Sequence, residues 1–306
     1  MYITPYTPAD KAAVHRLWSN NRLGYAPRTE DELAELLLEH PDFDRNRAWV
    51  ARKEEEICGF VCCTGAFLAC LLTDTRECAE LLLDTAVQDA GVRGLKTLKV
   101  SYFCPIRLPW VIQGTDGDEH NNMPGVPADT GLFDLMRDAG WQVKAREVAM
   151  YLPLEGYEFP AEMAKQAEKM AEKGYTVDWY DETRHRGVDE MVESLRNSMW
   201  SAEIPAAAHG GLPLLVGLQG DTVAGFTGPV RPEKTGRGYF AGIAVGPGFQ
   251  GHGLGKLLFY RLLEAERAVG ARYMTLFTGE DNHARKMYQQ AGFREMRHFA
   301  VMEKEL

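Results

Sequence analysis

The stretch with the clearest chemical meaning is Gln250-Gly251-His252-Gly253-Leu254-Gly255-Lys256. Three glycines alternate there, just after the apolar run Tyr239–Val245. Just beyond them, apolar residues recur at helical spacing at Leu254, Leu257, Leu258, Leu262 and Ala265. A strand, a glycine-rich turn and a helix in that order leave backbone N–H groups unpaired at the turn. The positive end of the helix dipole lies at the same place. Without a Cβ, glycine lets a bulky anion approach that backbone closely. The segment therefore reads as a phosphate cradle. The mononucleotide pattern GxxxxGK[ST] fails, because Leu257 follows Lys256 and Gln250 stands five before Gly255. The dinucleotide pattern GxGxxG fails too, since the glycines run G-x-G-x-G, and no acidic residue is placed on a following strand for a ribose.

The elements that must hold this turn alternate, so the fold class is α/β (α+β). In the second half the pattern predicts strands at Thr176–Trp179, Leu214–Leu218, Val223–Thr227, Tyr239–Val245 and Tyr273–Thr278. It predicts helices at Val188–Ser198, Gly253–Val269 and Asn282–Gln290. Gly156 and Pro160 break the chain between Leu152 and Tyr175. Ala161–Lys173 reads as an amphipathic helix, either a linker packed on both halves or the start of the second. The expected organisation is a domain at 1–155, a linker helix at 156–174 and a domain at 175–306.

Gln250, Gly253 and Gly255 satisfy Q/R-x-x-G-x-G/A, with Val245-Gly246-Pro247 ahead of them. This segment resembles the acyl-CoA binding motif of the GNAT N-acetyltransferase superfamily. Asn282–Phe293, NHARKMYQQAGF, resembles the family's N-x-x-A-x-x-x-Y-x-x-x-G-F helix. The family Asn usually stands seven before the Tyr; here Asp281 holds that position and Asn282 is six before Tyr288. The resemblance implies a mixed central sheet flanked by helices, with acetyl-CoA as co-substrate. It assigns the pyrophosphate to Gln250, Gly251, His252, Gly253, Leu254, Gly255 and Lys256. It assigns the pantetheine arm to the strand Ile243, Ala244 and Val245, with Asn282 and Tyr288 also at the cofactor. A splayed gap before Tyr273–Thr278 would hold the arm.

Acetyl transfer to an amine needs a neutral amine, a polarised carbonyl and a protonated leaving thiolate. An alkyl amine with a pKa near 10 is protonated about a thousandfold over at neutral pH, so a base helps. The Val245 N–H is the expected carbonyl donor, and the resemblance gives Tyr288 the role of general acid. Tyr239–Val245 carries no carboxylate, so the base must come from elsewhere. Glu203, His209 and Glu280 are the candidates, and Glu203 is preferred because the family builds its acceptor site near that helix. Trp200 either lines the acceptor pocket or belongs to the core. His252 is expected to serve through its backbone N–H. An acyl-CoA sensing module without catalysis is the alternative.

The first half repeats the pattern of the second. AWVARKEEEICGFV at Ala48–Val61 parallels LLVGLQGDTVAGFT at Leu214–Thr227, and DAGW at Asp138–Trp141 parallels QAGF at Gln290–Phe293. Met136 then takes the place of Tyr288. Leu71–Ala90, where the phosphate turn should fall, has no glycine. The first half therefore resembles a GNAT-like domain that has lost its cofactor site, as in tandem GNAT proteins. Its insert Cys104–Asp129, with Trp110, Asp116, Asp118 and Glu119, is either a cover over substrate or a mobile surface loop.

The net charge of −10 argues against nucleic acid or an anionic membrane as partner. All six cysteines lie in the first third, with no CxxC pair and no metal-ligand spacing, so no metal site is expected. They suit small buried side chains in a reducing cytoplasm. No signal segment or membrane span is read from the sequence. The acceptor is expected to be a small molecule or peptide amine.

Overall fold

The computed structural model describes all residues, 1–306, and divides into two units. The first comprises Met1–Ala149, Phe277–Asn282 and Glu295–Leu306; the second comprises Met150–Leu276 and His283–Arg294.

The first unit begins with β1 (Tyr2–Pro5), α1 (Lys11–Ser19) and the short α2 (Glu30–Leu33). Antiparallel β2 (Ala48–Lys53), β3 (Glu56–Thr64) and β4 (Phe67–Thr73) follow. Then come α3 (Arg76–Val92), β5 (Thr97–Val100), three two-residue strands β6 (Trp110–Val111), β7 (Glu119–His120) and β8 (Val126–Pro127), α4 (Gly131–Asp138) and β9 (Gln142–Pro153). Alternation along β3 loads both faces of the sheet. Val61 and Cys63 face a cluster with α3, whereas Phe60 and Cys62 face a cluster with α1. All six cysteines are free thiols. Burial pushes the Cys63 thiol up to about 12.

The second unit holds α5 (Ala161–Ala171), β10 (Tyr175–Trp179), α6 (Val188–Ser194), α7 (Ser198–His209), β11 (Leu215–Gln219) and β12 (Thr222–Thr227). It continues with β13 (Arg237–Gly238), β14 (Ile243–Val245), α8 (Leu254–Ala268), β15 (Tyr273–Gly279) and α9 (Ala284–Gln290). Its four-stranded sheet runs β10-β11-β12-β14. The last strand, β16 (Arg294–Glu305), leaves this unit and pairs antiparallel with β5, Met302 opposite Val100. The expectation had kept it with the second half. In the first unit it lies between β5 and β9.

The repeat has a packing basis. A Cβ at Gly59 would lie 2.4 Å from Cys78 Sγ on α3, and one at Gly225 would lie 3.2 Å from Leu258 on α8. In both units the Gly-Phe step lets the helix approach the sheet. Gly140 and Gly292 both take positive φ after a helix. Trp141 N–H donates to Met136 O, and Phe293 N–H donates to Tyr288 O. Met136 and Tyr288 thus occupy the same step of the same cap.

Three elements differ from the sequence reading. The expected helix Val188–Ser198 ends at Ser194, and a separate helix, α7, follows. Its start is fixed by Asn197, whose side chain accepts from the N–H groups of Met199 and Trp200. Pro205 inside α7 hid it from propensity. Of the expected strand Tyr239–Val245 only Ile243–Val245, β14, is a strand; an irregular segment separates it from β13, which ends before Tyr239. The insert 104–129 is packed more deeply than a mobile surface loop would be: Cys104, Ile106, Leu108, Trp110, Ile112 and Val126 are buried.

Candidate functional site

Two strands of the second unit part at the centre of the site. β13 pairs parallel with β15 through Arg237 opposite Tyr273 and Gly238 opposite Met274. Beyond Gly238 the chain leaves β15, and β14 instead pairs antiparallel with β12. β14 is the edge of its sheet, and β15 belongs to another. Gly246 N–H donates to Ala224 O on the β12 side. Backbone groups alternate along a strand, so the Val245 N–H points the other way, toward the open edge.

Gly242 marks the split, with φ +145°. A Cβ there would lie 2.7 Å from Trp200 Nε1, and that indole donates instead to Ala241 O at 3.0 Å. Trp200 also meets Phe226 edge-on at 5.5 Å. Trp200 therefore locks the irregular segment while remaining half-exposed.

The turn between β14 and α8 has the expected character. Gly251 and Gly253 take φ +85° and +84°, and Gly253 is the N-cap of α8. The first helical bond runs from Leu257 N–H to Gly253 O. The N–H groups from Gly251 to Lys256 have no acceptor within the protein. Nothing lies within 4 Å of where a Gly251 Cβ would be. Gln250 folds back, its amide donating to Val245 O at 3.1 Å. His252 stacks on Tyr175 with centroids 4.6 Å apart, so its ring is a prop for the turn. Leu254 is buried and packs against Gly217. Lys256 Nζ donates to Gln290 Oε1 at 3.1 Å. Free N–H groups, positive-φ glycines and a 15-residue helix behind them fit a diphosphate.

Tyr288 lies on α9 against Phe259, at 4.8 Å between centroids. Burial pushes its phenol up to about 12. The hydroxyl has no protein partner and is not among the sealed polar atoms. Asn282 precedes α9 rather than starting it; its N–H closes a turn on Gly279 O, and it is exposed.

Of the base candidates, Glu203 on α7 accepts a short hydrogen bond from the Tyr239 hydroxyl, in the split segment. His209 is gripped by Asp189 at 3.0 Å and Glu182 at 3.3 Å, and Asp189 in first place raises its pKa. Both ring nitrogens are thus engaged by carboxylates, which leaves neither turned to an amine. Glu280 is paired with His298 at 2.6 Å within the first unit.

Sequence reading missed Tyr239, Arg231 and Glu266. Tyr239 and Glu203 are 36 residues apart and become partners only through the fold. Glu266 is fully buried on α8. One oxygen accepts from Arg231 N–H at 3.0 Å and the other has no partner. Burial pushes its carboxyl up to about 8 from 4.5, outweighing the Arg231 N–H bond and the nearby Arg237 and Arg231 charges. The unfolded chain loses this proton near pH 4.5, while the fold keeps it until about 8. The stability it contributes is therefore full below 4.5 and lost as pH rises through 8. In thermal melts, Glu266→Gln should flatten the fall in Tm between pH 5 and 8. Equal slopes for variant and wild type would refute this.

The matching turn of the first unit is built differently. Asp74 N–H donates to Cys58 O, Thr75 N–H to Thr73 Oγ1 and Cys78 N–H to Thr75 Oγ1. Three of the turn's N–H groups thus have partners within the protein, and a carboxylate, Asp74, occupies the turn. A 270 Å³ cleft remains there, lined by Thr73, Asp74 and Thr75 with Leu132 of α4 among others. β4 and β5 pair only at Phe67 opposite Lys99. The space beyond is lined by Met123, Gly125, Val126 and Pro127 of the insert and holds only 40 Å³.

Residues 168–293 match the Acetyltransferase (GNAT) family. No curated protein matches the sequence. Among solved structures, one similar chain carries the GCN5-related glucosamine N-acetyltransferase region of a fungal multi-domain GH3 β-N-acetylglucosaminidase. It has a TM-score of 0.74 and 15% identity, covering 99% of this chain and 38% of that one. The present chain thus spans well under half of that protein. A GCN5-related N-acetyltransferase from Sphaerobacter thermophilus has a TM-score of 0.62 and 15% identity, covering 99% and 95%. A tandem GNAT protein from the clavulanic acid biosynthesis pathway has a TM-score of 0.59 and 17% identity, covering 99% and 98%. At these identities the likeness is one of fold. Residues 168–293 therefore match the family's acetyltransferase domain, and the chain shares the fold of a tandem GNAT protein.

Proposed function

We propose that the protein is an acetyl-CoA-dependent N-acetyltransferase that moves the acetyl group directly to an amine of a small molecule or peptide in the cytoplasm. The observation that carries this reading is the run of unpaired N–H groups from Gly251 to Lys256, next to the open edge of β14. The turn holds the pyrophosphate and β14 pairs with the pantetheine arm. Val245 N–H polarises the thioester carbonyl, and Glu203, oriented by Tyr239, takes the proton from the amine. The amine nitrogen bonds to the acetyl carbon and the C–S bond breaks. Tyr288, a neutral phenol whose hydroxyl has no protein partner, gives its proton to the departing thiolate. The first unit, with a carboxylate in its turn and its strand gap filled by its own insert, works without a cofactor of its own. The unpaired cysteines suit a reducing compartment.

The absence of a carboxylate from Tyr239–Val245 favours a second reading, a non-catalytic acyl-CoA sensor. Thiol release from acetyl-CoA across an amine panel separates the two. The enzyme reading expects turnover of at least one amine, with Glu203→Gln lowering kcat/KM by about 10²–10⁴-fold. Acetyl-CoA binding without thiol release from any amine would support the sensor.

A further inference from the structure

The acceptor side of the site carries two opposite charges set on one tyrosine ring. The Arg231 guanidinium lies over the Tyr239 ring, 4.1 Å from its centroid, while Glu203 takes the hydroxyl at the ring's end. We propose, resting on the acetyltransferase reading above, that Arg231 selects acceptors with a carboxylate beside the amine, so that the substrate class is free amino acids rather than peptides or simple amines.

The arrangement is rigid before any substrate arrives. Arg231 and Tyr239 face each other in a hairpin, with Tyr239 N–H donating to Arg231 O at 2.9 Å and Pro232 bridged to Gly238. Arg237 closes the hairpin through a two-pronged bond to Glu233 at 2.7 and 2.8 Å. The Arg231 N–H is held by the buried Glu266 at 3.0 Å. The backbone under the guanidinium is thus anchored on both sides. The guanidinium itself is exposed and makes no ion pair, although carboxylates stand nearby. Arginine in this state binds a carboxylate through paired N–H bonds, which an ammonium cannot do.

The spacing suits a zwitterion. The guanidinium lies 4.1 Å over the centre of the ring and the carboxylate at its hydroxyl, so half a ring and the hydroxyl set the two charges apart. In a free α-amino acid, the ammonium and carboxylate are separated by a single carbon. Hydrogen bonds of about 3 Å at each end extend that reach to both partners. The ammonium then lies at Glu203, the base, and the carboxylate at Arg231. A peptide N-terminus presents a neutral amide in place of that carboxylate. A simple amine presents nothing, leaving the charge of Arg231 unanswered.

The test measures thiol release from acetyl-CoA with the free L-amino acids, each paired with its carboxamide and with a dipeptide carrying it at the N-terminus. Wild-type protein should favour at least one free acid over its amide by about 10- to 100-fold in kcat/KM, mostly through KM. Arg231→Met should collapse that ratio toward unity, and Arg231→Lys should restore part of it. Melting curves of the variants check folding. Amides or dipeptides turned over as well as acids, or a preference unchanged in Arg231→Met, overturn the proposal and leave the acetyltransferase reading standing. No thiol release with any amine, alongside acetyl-CoA binding, overturns both.

Discussion

Replacing Gly253 with glutamate should weaken acetyl-CoA binding at least 100-fold, about 2.8 kcal/mol. Three effects act together at this residue. Its φ of +84° lies where L side chains are strained. A Cβ would lie 2.5 Å from Gln166 Nε2 on α5. The new carboxylate would stand among N–H groups that are there to meet a diphosphate, at the positive end of α8. Gly253→Ala keeps the first two effects and omits the third. Titration calorimetry should therefore rank the three proteins wild type, Ala, Glu in falling affinity. If Glu binds as well as Ala, the turn is not the phosphate site. Thermal melts guard against a trivial answer, since α8 is also a core helix.

The second large effect belongs to Tyr288. Tyr288→Phe should lower kcat by about 10²–10³-fold and leave the acetyl-CoA Kd within about twofold. The structure separates chemistry from packing unusually well here. The ring is buried against Phe259 and Phe293, so phenylalanine fills the same space. The hydroxyl has no protein partner, so its removal orphans nothing and should not lower Tm. With its pKa pushed up to about 12, the phenol stays protonated through the physiological range. Any alkaline fall in rate below that value must therefore come from another group. Unchanged kcat in Tyr288→Phe would remove it from the mechanism.

The parts of this site legible in the sequence were those written locally. The glycines of the turn, the helix after it and the Gly-Phe steps are short-range patterns with short-range causes, and the structure places them within a residue or two. The acceptor side was not legible. Trp200 and Gly242, 42 positions apart in the chain, meet only because α7 forms, and Pro205 disguises that helix. Arg231, Tyr239 and Glu203 look like surface residues until the hairpin and α7 bring them together. The insert misled for the opposite reason. Its Gly, Pro, Asn and Asp suggested a loop, but Trp110 and Val126 bury themselves, and Gly125 lies where a Cβ would be 2.4 Å from Ala300 O.

That same Ala300 belongs to β16, the strand that returns to the first unit between β5 and β9. A polypeptide emerging N-terminus first must therefore wait until Arg294–Glu305 is made before its earlier half can close its sheet. The half born first finishes last, and meanwhile offers two unpaired strand edges to whatever is near. A fragment cut after residue 155 would lack an interior strand, so trimming the C-terminus injures the opposite end of the sequence.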